Sequence, residues 1–220
     1  MKVALFTLAT ALVVSPLAPL VSPLVGQTVA PSQGQAAHPL ERLAAEQILV
    51  LPVQYLTFAD SLGWSQGAPS SRAYLNTVDD EIAFALTQRG LKGRWILAPD
   101  LIKAVARNQG YAPDPHVLAA VDIRSGQKPA EWQLREPLAS ELRALIALTD
   151  ARYVLFPVEM RLVGSNGAGH AMLHLVIIDV RRSQVQWSGD LAGSRETKFS
   201  PAIAADIASR LGDLIAAPVN

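Results

Sequence analysis

From residue 47 onward the chain alternates between strand-like and helix-like spacing of its apolar positions. Residues 48–56 (ILVLPVQYL) are almost continuously apolar and rich in branched side chains, the pattern of a strand buried on both faces. Pro52 in its middle puts that strand at a sheet edge or at a bulge, since proline has no N–H to give to a ladder. A long loop is expected over 57–73. A helix then opens at Thr77, with Asp79, Asp80 and Glu81 in its first turn and a stripe of Val78, Ile82, Ala85 and Leu86, and Gly90 ends it. Residues 93–98 (GRWILA) predict a short second strand, and Asp100 caps a helix over 101–109. From 111 to 136 the periodicity is weak and prolines recur, the mark of an irregular insertion. Glu136-Pro137 then starts a third helix, with Leu138, Leu142, Leu145 and Ile146 on one face.

The last third of the chain is the most regular. Strands are expected from Tyr153 to Leu162, from Ala171 to Val180, and from Gln184 to Leu191, joined by a glycine-rich hairpin (GSNGAG) and a turn at 181–183. In the middle strand Leu173, Leu175 and Ile177 share one face and Met172, His174, Val176 and Ile178 the other. In the third, Val185 and Trp187 are expected to face a core together while Gln184, Gln186 and Ser188 face water. Ser200 as N-cap and Pro201 as first helical residue begin a closing helix striped with Ile203, Ile207, Leu211, Leu214 and Ile215, and Trp187 is expected to pack on it. The order β-α-β-α, an irregular stretch, then α-β-β-β-α predicts an α/β (α+β) domain, a mixed sheet of about five strands with helices packed on it.

The amino terminus changes the setting. Met1 and Lys2 precede the uncharged apolar run 3–14 (VALFTLATALVV), which reads as a secretory signal over residues 1–30. Residues 31–46 are expected to be a flexible tether and 47–217 a single domain. Prolines at 16, 19 and 23 interrupt the apolar stretch and argue against a permanent span. There is no cysteine, so disulfides, thiolate metal sites and a thioether lipid anchor are excluded, and a bacterial periplasm is the expected compartment. Lysine plus arginine and aspartate plus glutamate balance at 19 each, so no long-range field favours nucleic acid or an anionic membrane. The basic residues of 89–94 (RGLKGR) and Arg181 and Arg182 are expected at solvated element ends.

Several short motifs resemble a known group of domains. Val50-Leu51-Pro52 ends the first strand. Ala151-Arg152-Tyr153-Val154-Leu155 opens the strand after the third helix, and Ile177-Ile178-Asp179-Val180 precedes Val185-Gln186-Trp187-Ser188. This series resembles the amino-terminal domain of TolB, CsgG-type secretion components and the outer-membrane lipoprotein activators of peptidoglycan synthases. The resemblance implies a non-enzymatic periplasmic module that binds other envelope proteins or a second copy of itself.

Candidate chemistry is sparse. The chain holds four histidines; His170 and His174 would lie on one strand face about 13 Å apart, too far to share an ion, so no metal site is expected. No G-x-S-x-G, P-loop or dinucleotide motif occurs, and neither a catalytic residue nor a cofactor is assigned. Asp179, ahead of a turn, and Glu159, expected to point outward, are read as bystanders. The early aromatic cluster is the candidate partner contact: Tyr55, Phe58 and Trp64, with Asp60 among them. The alternatives are a loop folded back over the core, a small-molecule-binding protein, and, third, an envelope hydrolase.

Overall fold

The computed structural model describes residues 40–59, 61–124 and 133–217. The expected signal and most of the expected tether lie outside the described residues, as does Asp60.

The chain forms a five-stranded mixed sheet with helices on both faces. Its spine is the antiparallel meander β3 (Tyr153–Ser165), β4 (Ala168–Asp179) and β5 (Gln184–Ala192). Asn166 and Gly167, both at positive φ, form the two-residue hairpin turn, so both strands run further into the expected glycine loop than their apolar cores suggest. The first apolar run divides into β1 (Ile48–Val50) and β2 (Tyr55–Ala59), both parallel to β3, with Pro52 in the gap between them at the sheet's edge.

Two segments depart from expectation. Residues 93–98 make no strand: Ile96 exchanges two hydrogen bonds with β1, Val50 N to Ile96 O (2.8 Å) and Ile96 N to Ile48 O (2.9 Å), before a helix begins. That helix, α3 (Ala98–Arg107), starts from Leu97 with Pro99 in its first turn, so the straight run is too short for a ladder. The expected loop 57–73 is largely ordered into the end of β2, a short helix α1 (Trp64–Gly67) and the first turn of α2 (Ser71–Gln88). Ser70 accepts from Ala73 N (3.4 Å) as the N-cap, so α2 begins six residues before Thr77 and adds Tyr74 and Leu75 to its buried stripe.

Two apolar layers result. On one face α2 and α5 (Ala202–Asp213) bury Val78, Ile82, Leu86, Ile203, Ile207 and Leu211 against Leu155, Leu173, Leu175 and Ile177. On the other, α4 (Leu138–Ala147) brings Leu138, Leu142 and Leu145 against Val154, Phe156, Val176 and Ile178. Leu40 and Leu43 also enter the first layer, through a 3-10 turn at Glu41–Ala45 whose Leu40 N donates to Leu214 O (2.7 Å). The tether expected through residue 46 is therefore part of the folded body from Leu40 onward, because two leucines at i and i+3 supply enough apolar area to dock it.

β-Bulges reset the faces. Between Ile178↔Val185 and Ile177↔Trp187, β5 carries one extra residue, Gln186. Val185 consequently packs in the second layer and Trp187 against the first, not both on one face as strict alternation requires. Gly189 makes room for that indole, since a Cβ there would lie 2.6 Å from the ring. A second register shift, between Pro157 and Glu159, places Glu159 on the face of Phe156 and Val158 beside Tyr55, where strict alternation would have set it with Leu155. Its carboxylate is buried and accepts from Thr57 Oγ1 (2.8 Å) and from Arg124, correcting the expectation that it points to water.

Arg89 is likewise not a solvated helix end. It is buried at the end of α2 and donates to the carbonyls of Ala85 (2.8 Å), Ser209 (2.8 Å) and Ala216 (3.1 Å) and to Asp213 Oδ1 (2.5 Å). The guanidinium ties α2 to the last turn of α5, over a glycine, Gly212, where a Cβ would sit 2.3 Å from it.

Candidate functional site

The break in the edge strand creates the site. Once Pro52 interrupts the ladder, the backbone groups of residues 52–54 need other partners, because an unpaired buried amide is costly. Two buried side chains supply them. Asp79 of α2 accepts from Val53 N through Oδ1 (2.8 Å). Gln54 turns back so that its Nε2 donates to Pro52 O (2.9 Å) and Pro115 O (2.8 Å), while its Oε1 accepts from Leu118 N (2.9 Å). Gln54 thereby clamps the irregular segment after α3 onto the sheet edge.

Between α2, α3 and this clamped segment lies a cleft of about 300 Å³, lined by Asn76, Asp79, Asp80, Pro99, Ile102, Lys103 and His116. Asp79 is only 4 % exposed, and its Oδ2 has no hydrogen-bond partner among the described residues. Burial pushes its carboxyl up to about 7 from an ordinary 3.8, with the Val53 N–H and the nearby Arg72 opposing the rise. His116 moves the other way: burial and the Arg72 guanidinium hold it below its usual value. A guanidinium can only donate, so His116 Nδ1, 3.0 Å from Arg72, accepts, and the ring proton sits on Nε2.

The expected contact residues are dispersed rather than gathered into a surface. Trp64 is 6 % exposed and packs in the first apolar layer, 6.2 Å from the Phe199 ring, which also meets Tyr74 at 5.2 Å. Phe58 is half-buried against the same layer. Tyr55 lies on the opposite face, half-buried, with the Arg124 guanidinium 4.3 Å above its ring. The large apolar side chains that do reach solvent are elsewhere: Phe84 on α2, then Tyr111, Val117 and Val121. Weak periodicity hid this last group, although apolar residues scattered through a polar, proline-rich stretch were the available signal.

The open end of the sheet carries a polar array on the face of Glu159. Asp190 accepts from Arg161 (3.0 Å) and lies 2.6 Å from His174 Nδ1 across the strands, so His174 is engaged by a carboxylate. Asp179 is no bystander: burial raises its carboxyl, but the Arg152 hydrogen bonds (2.7 and 3.1 Å) and Arg182 N outweigh this and hold it below the ordinary range. It locks the start of β3 to the end of β4. Among the described residues no three His, Cys, Asp or Glu side chains are placed to hold a metal ion, and no helix is long and apolar enough to cross a membrane.

No protein-family model and no curated protein matches the chain. In three dimensions it is similar to the LpoB C-terminal domain from Salmonella enterica (14% identity, covering 67% of this chain and 82% of that one, TM-score 0.32). It is also similar to the PelC dodecamer from Paraburkholderia phytofirmans (16% identity, 79% and 91% covered, TM-score 0.36) and to the lipoprotein GNA1162 from Neisseria meningitidis (17% identity, 68% and 79% covered, TM-score 0.34). The similarity is one of fold, and at these values it brings neither a partner nor an activity to this chain.

Proposed function

We propose that this chain is an exported, non-catalytic envelope module that binds a protein partner, with the contact centred on residues 111–121. One observation carries the reading: three of the four large apolar side chains exposed among the described residues fall in this segment, Tyr111 at 82 %, Val117 at 73 % and Val121 at 55 %. The segment is held, not loose. Gln54 grips Pro115 O and Leu118 N, Glu141 Oε2 accepts from Ala119 N (2.8 Å), and Asp114 Oδ1 accepts from His116 N (2.9 Å). Apolar side chains presented on a pre-ordered backbone lose little entropy on binding, and an aromatic among them is a suitable anchor.

In this reading Tyr55 supports the surface from beneath Arg124, and Phe58 and Trp64 act from within the core. The small-molecule reading has the cleft itself in its favour.

Site-specific photo-crosslinking in cells tests the proposal. A crosslinker at residue 111 or 117 is expected to trap one and the same envelope protein, and a crosslinker at Lys198 is not. With the crosslinker at 121, Tyr111→Ser combined with Val117→Ser should abolish the adduct. Adducts of equal yield at 198, or none at 111 and 117, would overturn the reading.

A further inference from the structure

The cleft between α2 and α3 has features that capping the edge strand does not explain. Capping uses one oxygen of Asp79; the other is enclosed, has no donor among the described residues, and belongs to a side chain that lines the cleft. Asp80 lies on the same wall and adds a second carboxylate, exposed at the mouth. Of the cations nearby, Arg72 donates to His116 Nδ1 and O, and Lys103, which also lines the cleft, is exposed and lies 3.9 Å from Asp100. Pro99 and Ile102 make the facing wall apolar. A hydrogen-bond acceptor at the bottom, the Asp80 carboxylate at a mouth it shares with Lys103, and the hydrocarbon of Pro99 and Ile102 suit one ligand shape, a methylene stem ending in a group that carries only donors.

We propose that this cleft binds an alkylammonium group, with the ammonium donating to Asp79 Oδ2 and its stem lying along Pro99 and Ile102. About 300 Å³ is at the small end of ligand sites and suits a single amine-bearing chain. The group is shared by a free aliphatic amine and by the side chain of a lysine in a peptide. The inference stands independently of the partner contact at residues 111–121, which uses different side chains.

The test is titration of the isotope-labelled folded protein at pH 8, above the value of about 7 at which Asp79 gives up its proton and Oδ2 becomes a pure acceptor, followed by amide resonances. Pentylammonium, Nα-acetyl-lysine methylamide, pentanoate and pentanol are added separately. The two amines are expected to shift the amides of Asn76, Asp79, Asp80 and His116 saturably, while pentanoate and pentanol do not. Asp79→Asn, which keeps an acceptor for Val53 N–H, should preserve the rest of the spectrum and weaken the amines by about tenfold or more. Tighter binding of the lysine derivative assigns the site to a peptide side chain, and tighter binding of pentylammonium to a free amine. No saturable shift with either amine, equal shifts with pentanoate or pentanol, or unchanged affinity in Asp79→Asn would overturn it, whatever crosslinking at 111 reports.

Discussion

Replacing Asp79 with asparagine should change how stability depends on pH, in a direction the burial dictates. Folding moves this carboxyl from 3.8 up to about 7, so between those values the unfolded chain carries the charge and the folded chain holds a proton. A group raised on folding gives its full stabilisation below the unfolded pKa and loses it as pH rises through the folded one. Each pH unit over which only the folded chain holds the proton is worth about 1.4 kcal/mol, so the wild-type chain should lose about 2.5 kcal/mol from this group between pH 5 and pH 8. Asparagine leaves an amide oxygen for Val53 N–H and removes the titration. His116 pulls the other way, but it does so in both proteins and cancels in the difference. Urea unfolding at the two pH values and constant ionic strength, with m-values compared, measures the effect. Equal pH dependence in the two proteins, or an asparagine variant less stable than wild type at pH 8, would refute the claim that the carboxyl is held neutral by burial.

Three further variants have outcomes set by the same contacts. Arg89→Ala should cost about 2–4 kcal/mol, because the carbonyls of Ala85, Ser209 and Ala216 and the Asp213 carboxylate lose a buried donor, and Gly212→Ala should also destabilise by crowding the guanidinium; thermal unfolding measures both, and a melting point unchanged in either would contradict the clamp. Gln54→Leu should release residues 115–118 while leaving the β3–β4–β5 meander protected, which hydrogen exchange reads as faster exchange at Leu118 without global loss.

Much of the fold was legible along the chain because its signals are local. The meander and the closing helix announce themselves through strong apolar runs, an Asn-Gly turn and a clean stripe from Ile203 to Leu211, each of which needs only neighbours in sequence. The start of α2 is masked in the sequence because the acidic residues 79–81 resemble a first turn, whereas Ser70, with a weaker signature, holds the cap. The aromatic group at 55–64 was readable as a cluster in sequence. Its division between the two faces of the sheet was not, because parallel pairing with β3 sets Tyr55 opposite Glu159 and Phe58 opposite Leu162.

The amino-acid order alone determined the element types in the last third, the break at Pro52 and the lack of cysteine chemistry, since each depends on a residue's own backbone or on periodic spacing. Only the tertiary structure decided the rest. Two bulges reversed side-chain parity, setting Glu159 beside Tyr55 and Arg124 and separating Val185 from Trp187, because one inserted residue shifts every later side chain to the opposite face. The cleft arose because Gln54 and Asp79, distant in sequence, converge on backbone groups beside Pro52, and the segment that Gln54 also holds brings His116 up to α2 and α3. Unpaired backbone polarity is cheap in an extended chain and costly in a core, so its remedies take shape only once the core exists.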